Sequence, residues 1–437
     1  MKLLKGSIIH APALETLETI ENGALLLDDD GTIREVLHEA PADFDGRVYD
    51  CSGQLIMQSF ADMHLHAPQF PNVGMGMDLP LLDWLKTYTF PVEAKFADLD
   101  YARRVYRRLA HDLIANGTTR VCMFSSLHTD ATLVLMEELE NAGVTGFVGK
   151  VNMDRNGGVN LEETTEESGR ETLRWLESCK RFRFVRPIIT PRFTPACTDE
   201  LMTELGRIAA EQGLYVQSHL SENVDEIEWV RSLHPDCRQY WDSYDKFGLW
   251  KSHTVMAHCV HSDARERSAI REAGVVVAHC PDSNINLCSG IAPVREMLSE
   301  GIHVTLGTDI AAGASLAGNR MVTMSIQASK IRSFTEPSHP AFLTVSAGDY
   351  LGTTSGHRYF GAGSGFAPGD RLHAVVVDDR DFTETPWTLS LPERLERALY
   401  TMNAANVSAV WSEGRLVLDR RTAAPVRKTA ARSRKLG

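Results

Sequence analysis

Residues 55–66 read Leu55-Ile56-Met57-Gln58-Ser59-Phe60-Ala61-Asp62-Met63-His64-Leu65-His66, an apolar β-rich run that ends in two histidines. Side chains two apart on a strand point to the same face, so His64 and His66 can grip one ion together. The motif alone decides little. With 16 His in 437 residues, chance supplies a His-x-His in about half of sequences of this composition. Its weight comes from other runs that end in the same way.

Seven further β-rich runs cover residues 118–125, 145–153, 184–193, 214–220, 254–261, 275–280 and 303–309, and longer amphipathic stretches lie between them. Alternation of this kind marks βα units on a parallel sheet, and eight strands is the number a closed (β/α)8 TIM-like barrel requires. A helix is predicted over 100–115, where Ala102, Val105, Tyr106, Leu109 and Leu113 recur at helical spacing and Asn116-Gly117 supplies the stop. Residues 66–96, rich in Pro, Gly and aromatics, read as a long functional loop.

Outside this rhythm the ends of the chain carry short strands at 24–27, 33–37, 48–51, 372–378 and 407–418, with turns at Asp30-Gly31 and Glu413-Gly414. The expected architecture is α/β: residues 57–365 form the barrel, and 1–56 with 366–420 form a small β-sandwich from both termini. Residues 421–437 read as a basic, solvated tail.

Barrel enzymes build their sites at the C-terminal ends of strands. His219 ends the fifth run, His258 the sixth and Asp309 the eighth, in frame with His64 and His66. Imidazole and carboxylate without thiolate suit zinc or iron, and a catalytic ion keeps one position for water, whose pKa it lowers towards 7. A proton carrier that is not itself a ligand is then needed. Glu222, three residues beyond His219, is placed for that task.

Composition narrows the alternatives. The chain is 43% hydrophobic and 24% charged, the balance of an ordinary globular protein. A formal net charge of −13 opposes non-specific nucleic-acid binding. No leader or membrane-spanning run is expected, which with eight scattered cysteines and no Cys-x-x-Cys pair predicts a cytoplasmic protein with buried, inert thiols.

These residues resemble the amidohydrolase superfamily, and in detail its guanine deaminase family. The shared stretches include His64-Leu65-His66-Ala67-Pro68-Gln69-Phe70, Pro80-Leu81-Leu82-Asp83-Trp84-Leu85, Lys150-Val151-Asn152-Met153-Asp154-Arg155-Asn156 and Thr190-Pro191-Arg192-Phe193. His219-Leu220-Ser221-Glu222, Ala257-His258-Cys259, His279-Cys280-Pro281 and Gly307-Thr308-Asp309 continue them. The resemblance implies a homodimeric enzyme with one zinc per subunit, iron being acceptable to the same ligands, that converts guanine and water to xanthine and ammonia.

By position it implies His64, His66, His219 and Asp309 as metal ligands, Glu222 as proton shuttle and His258 as a group polarising the attacking water, with Asp309 also serving the chemistry. Gln69, Trp84, Arg192 and Phe193 would hold the base, beside His66, His219 and Glu222. For both Arg192 and Phe193 to reach the base, 190–193 must leave the strand, which Pro191 favours.

The chain departs from the family at Gln58-Ser59, where Pro-Gly is usual. A bridging lysine, the mark of two-metal relatives, is absent from 184–193, although Lys150 on the neighbouring run reopens that question. Two rival readings stand beside this one: an enzyme acting on another aminated heterocycle (aminopurine, pterin or triazine) with the same metal site, and a non-catalytic binding protein on the barrel scaffold.

Overall fold

The computed structural model describes residues 1–158, 160–336 and 341–421. Four strands open the chain: β1 (Lys2–Ala13), β2 (Thr16–Leu27), β3 (Ile33–Leu37) and β4 (Arg47–Gln58). Ten follow in the middle: β5 (Phe60–His66), β6 (Thr118–Phe124), β7 (Thr145–Gly149), β8 (Val151–Asn152), β9 (Val185–Pro187), β10 (Thr190–Pro191), β11 (Gln217–Leu220), β12 (Val255–His258), β13 (Val276–His279) and β14 (His303–Leu306). Then come β15 (Ala374–Val377), β16 (Val407–Ser412) and β17 (Arg415–Asp419).

The middle strands pair in parallel, β5-β6-β7-β9 in one sheet and β11-β12-β13-β14 in another, with β8 beside β10. Two seams connect the sheets. On one side Ile189 bridges Val216, and the Gln217 amide donates to the Ile189 carbonyl at 2.9 Å. On the other the Asp309 amide donates to His64 at 2.8 Å and the His66 amide to Ile310 at 3.0 Å. This second seam brings the ends of β5 and β14 together, and with them three of the expected ligands.

Each of the eight expected runs contains a strand, with breaks that have local causes. The 55–66 run serves two sheets. Its first part ends as β4 and its second begins as β5, with Ser59 between them, where the Ser59 amide turns to the His373 carbonyl at 3.3 Å. In the 145–153 run Lys150 separates β7 from β8. The expected helix runs from Leu99 to Ala115, capped by Asp98, which accepts from the Asp100 and Tyr101 amides, and stopped at Asn116 and Gly117 as read.

The stretch after β5 departs from the expectation of a long loop. It folds as consecutive short helical pieces, among them Ala67–Asn72, Leu81–Trp84, Leu85–Thr89 and Phe90–Glu93. Prolines stand at the first or second helical position of the first and last of these, where a missing N–H costs nothing, so prolines that suggest loop also start helical turns.

The two ends meet, as expected, but their strands join in one seven-stranded sheet, β17-β16-β15-β4-β1-β2-β3. Chain-end β15 pairs antiparallel with β4, while β1 pairs parallel with β4. The sheet has an apolar core of its own, built from Leu4, Ile8, Leu25, Ile33 and Ile56 at one end of the chain and Leu372, Val376 and Trp411 at the other. The turns at Asp30-Gly31 and Glu413-Gly414 touch: a β-carbon on Gly31 would lie 2.2 Å from the Gly414 carbonyl oxygen, so only glycine fits.

Two expectations about the surface need correction. Cys237 is half-buried and Cys288 exposed, whereas the other six thiols are buried as expected. Of the basic tail, Arg421 is held: it pairs with Asp419 at 2.7 Å and lies over the Tyr49 and Trp411 rings. The rest of that stretch, 422–437, lies outside the described residues. No described helix is long and apolar enough to cross a membrane.

Candidate active site

His64 and His66 end β5 with both rings buried. His64 Nε2 lies 3.3 Å and His66 Nε2 3.5 Å from Asp309 Oδ1, and His66 Nε2 lies 3.1 Å from His219 Nε2. Phe124, at the end of β6, packs against all three rings at 4.6 to 5.0 Å between centroids, forming an apolar wall behind them. The seam between β5 and β14 thus delivers His64, His66 and Asp309 to one point, and β11 delivers His219.

The donor set fits a divalent metal. His219 Nδ1 donates to the Arg192 carbonyl at 2.6 Å, which leaves Nε2 as a lone pair aimed at the cluster. His64 Nε2 is buried, with Asp309 Oδ1 3.3 Å away. Burial lowers the pKa of His64, and lowers those of His66 and His219 strongly, which favours the neutral imidazole a metal requires. Burial alone would raise Asp309, but the hydrogen bond and charge of His64, with help from His258 and Ser283, hold it below the usual carboxylate range. An ionised Asp309 fits the anionic place in such a ligand set.

Glu222 and His258 stand beside this cluster. His258 Nε2 is 3.6 Å from Glu222 Oε2 and 3.9 Å from Asp309 Oδ2, while its Nδ1 donates to Asn284 Oδ1 at 2.8 Å. Glu222 precedes the helix Val224–Leu233, whose cap Asn223 forms a box with Glu226. The Glu226 carboxylate accepts the Glu222 amide at 3.0 Å and the Tyr240 hydroxyl at 2.7 Å, fixing the backbone that presents Glu222. Burial first, and the Asp309 charge second, push the Glu222 carboxyl up to about 8. At neutral pH such a group can hold a proton and give it up.

One cavity reaches most of these groups. It is lined by His66, Gln69, Leu81, Trp84, Leu85, Arg192, Phe193, His219, Glu222, Glu226, His258, Leu287, Asp309 and Ala312, with His64 set behind it. Every expected base-holding residue is among them. The chain does leave the strand at Pro191: Phe193 is extended at φ −172°, followed by a 3-10 turn over Thr194–Ala196, and this places the adjacent Arg192 and Phe193 on one cavity. Trp84 is a wall residue whose indole N–H donates to the Met75 carbonyl at 2.9 Å.

Sequence reasoning did not single out Glu93. It is buried, accepts from Gln69 Nε2 at 2.9 Å and pairs with Arg192 Nη1 at 2.5 Å, and Phe90 stacks under the Arg192 guanidinium at 5.0 Å. Glu226 was missed too, although the Asn-x-x-Glu spacing of Asn223 and Glu226 is a readable capping signal. Lys150 is accounted for elsewhere: its buried ammonium pairs with Glu163 at 2.7 Å, and it is not among the cavity's lining residues.

Comparison with known proteins places the chain in a family. The amidohydrolase family matches residues 55–417. A guanine deaminase of Dictyostelium discoideum is 35% identical over 95% of this chain and 97% of its own length. The guanine deaminase of Mus musculus is 38% identical over 84% of this chain and 83% of its own. A crystal structure of guanine deaminase from C. acetobutylicum with bound guanine superposes with a TM-score of 0.92, at 40% identity, over 95% of this chain and 99% of that one. The chain belongs to the amidohydrolase family, among its guanine deaminases.

Proposed function

We propose that this protein hydrolyses guanine to xanthine and ammonia, and that residues 57–365 form a closed (β/α)8 barrel whose two seams are those between β14 and β5 and between Ile189 and Val216. The observation that carries the reading is the single cavity in which the His/Asp cluster and Glu222 face Arg192 and Gln69. Guanine presents a carbonyl oxygen, a ring N–H edge and a flat face. Arg192 has guanidinium donors beyond the one given to Glu93 and meets the carbonyl. Gln69 spends its amide N–H on Glu93, which turns its carbonyl oxygen to accept from the base. Phe193, Leu81 and Leu287 supply apolar walls for the ring.

His64, His66, His219 and Asp309 would hold one divalent metal, zinc in this reading, with iron accepted by the same ligands. When bound, such an ion lowers the pKa of water towards neutrality. Glu222 takes a proton from the attacking water and hands it to the amino nitrogen. The water oxygen joins the ring carbon, the C–N bond breaks and the nitrogen leaves as ammonia. His258, fixed by Asn284, directs Nε2 towards Glu222 and Asp309 and orients the water. A small β domain of 1–56 with 366–420, a homodimer and a cytoplasmic location complete the proposal, supported by the single sheet and shared core of the terminal strands and by the family resemblance.

The test is ammonia release by the metal-loaded protein. A site built to hydrogen-bond a substrate group rejects analogues that lack it, because its own polar groups are left unpaired. Guanine is therefore deaminated far faster than 2-aminopurine, which lacks the carbonyl, or adenine, which carries an amino group in its place. Equal rates on guanine and 2-aminopurine would overturn the pocket assignment.

A further inference from the structure

Beyond β13 the chain enters the short helix Pro281–Asn286, and this helix and the turn after it reach three groups of the site. Ser283 Oγ donates to Asp309 Oδ2 at 2.5 Å, Asn284 Oδ1 accepts from His258 Nδ1 at 2.8 Å, and Ser289 Oγ donates to Glu222 Oε1 at 3.2 Å. The segment is itself anchored. Asp282 accepts from the Ala314 amide and pairs with Arg320, both at 3.0 Å, and Asn286 donates to the Ala312 carbonyl at 2.9 Å. The Ser289 amide returns to the Asn284 carbonyl at 2.8 Å, and His261 Nε2 bonds the Ser289 carbonyl at 2.8 Å. Ser289 is thus a buried hydroxyl on a backbone fixed from two sides.

We propose that Ser289 is a positioning residue that fixes which oxygen of the Glu222 carboxyl carries the moving proton. The inference rests on Glu222 being the shuttle of the proposed reaction. An oxygen that already accepts a hydrogen bond is the poorer place for a proton, and Ser289 occupies Oε1. The proton therefore travels on Oε2, the oxygen that faces His258 Nε2. Without the hydroxyl, both oxygens accept the proton, and rotation of the carboxyl separates a protonated Glu222 from the leaving nitrogen for part of the time.

The experiment compares wild type, Ser289→Ala and Ser289→Thr, with Cys288→Ala, the exposed neighbour, as control. Ser289→Ala is expected to lose about tenfold in kcat, the scale of one hydrogen bond to a charged group, with KM within about twofold and metal content intact. Ser289→Thr restores most of the loss, and Cys288→Ala changes nothing. Infrared difference spectra supply a readout apart from turnover: the protonated-carboxyl band that Glu222→Gln abolishes shifts in Ser289→Ala, with metal and without it. Wild-type kcat in Ser289→Ala, a raised KM with kcat unchanged, no rescue by threonine or an unmoved carboxyl band would each overturn the inference. Wild-type protein that releases no ammonia from guanine would defeat the proposed reaction instead, and the infrared arm would still report on the Ser289–Glu222 bond.

Discussion

Glu93 belongs to none of the motifs that a reader of the sequence would mark, yet one carboxylate holds both Gln69 and Arg192. In Phe90-Pro91-Val92-Glu93 it looks like a surface acid opening a helical turn, and only its burial reveals otherwise. The histidines and Asp309 were legible because each ends a β-run in the same frame. Glu93 was not, because its partners lie 24 and 99 residues away. Replacing it removes the counter-ion of a buried guanidinium, so Glu93→Ala is expected to cost about 3–5 kcal/mol in unfolding free energy, measured by denaturant titration. Arg192→Ala is expected to slow guanine turnover about ten- to a hundredfold and shrink the preference over 2-aminopurine, with metal retained. The cluster behaves differently. Ala at His64, His219 or Asp309 should remove metal and activity together, read by mass spectrometry, whereas Glu222→Gln should keep the metal and lose at least about a hundredfold in turnover.

Among the elements, the helix Val345–Gly352 carries a buried acid with no part in the chemistry: Asp349 Oδ1 has no hydrogen-bond partner, and burial lifts the carboxyl from its ordinary value of 3.8 to about 7. The sign follows from linkage. In acid both folded and unfolded states are protonated. As pH rises through about 4 to about 7 the unfolded chain ionises first, and stability is lost over that window. Asp349→Asn should flatten this slope and raise stability at pH 8, by at most ~4 kcal/mol for a shift of this size. Denaturant midpoints across pH decide it, and parallel profiles for the two proteins would refute the account. Elements also mark where local sequence misleads. The helix Leu99–Ala115 announced itself by periodicity and a stop signal, whereas residues 67–97 hid helical turns too short to show a period.

At the scale of the molecule, Gln58-Ser59 stands where β5 meets the terminal sheet. Gln58 Nε2 donates to the Gly365 carbonyl at 2.7 Å and its Oε1 accepts from Thr354. Ser59 Oγ meets Thr119 Oγ1 at 2.6 Å, and the Ser59 carbonyl accepts from His357 at 2.7 Å. Gln58 and Ser59 thus form a buried polar clasp. Gln58→Ala strands two buried partners and should cost about 1–3 kcal/mol of stability while leaving guanine turnover per folded molecule unchanged. The eight β-rich runs of the middle of the chain could be read from sequence because each stands between longer amphipathic stretches. The pairing of β4 with β15, Gln58 opposite Ala374, could not, since no local pattern joins segments so far apart.

That pairing has a consequence for the chain as it leaves the ribosome. When β4 emerges, its outer neighbour does not yet exist, and the row of amides and carbonyls beside Leu55, Ile56 and Met57 stays bare until β15 has been translated. Non-local pairing of this kind is slow, and an open apolar edge is a template for other nascent chains. Polysomes stalled before residue 374 should hold the middle strands beside an unfinished hem, captured by holdase chaperones and prone to stick to their neighbours.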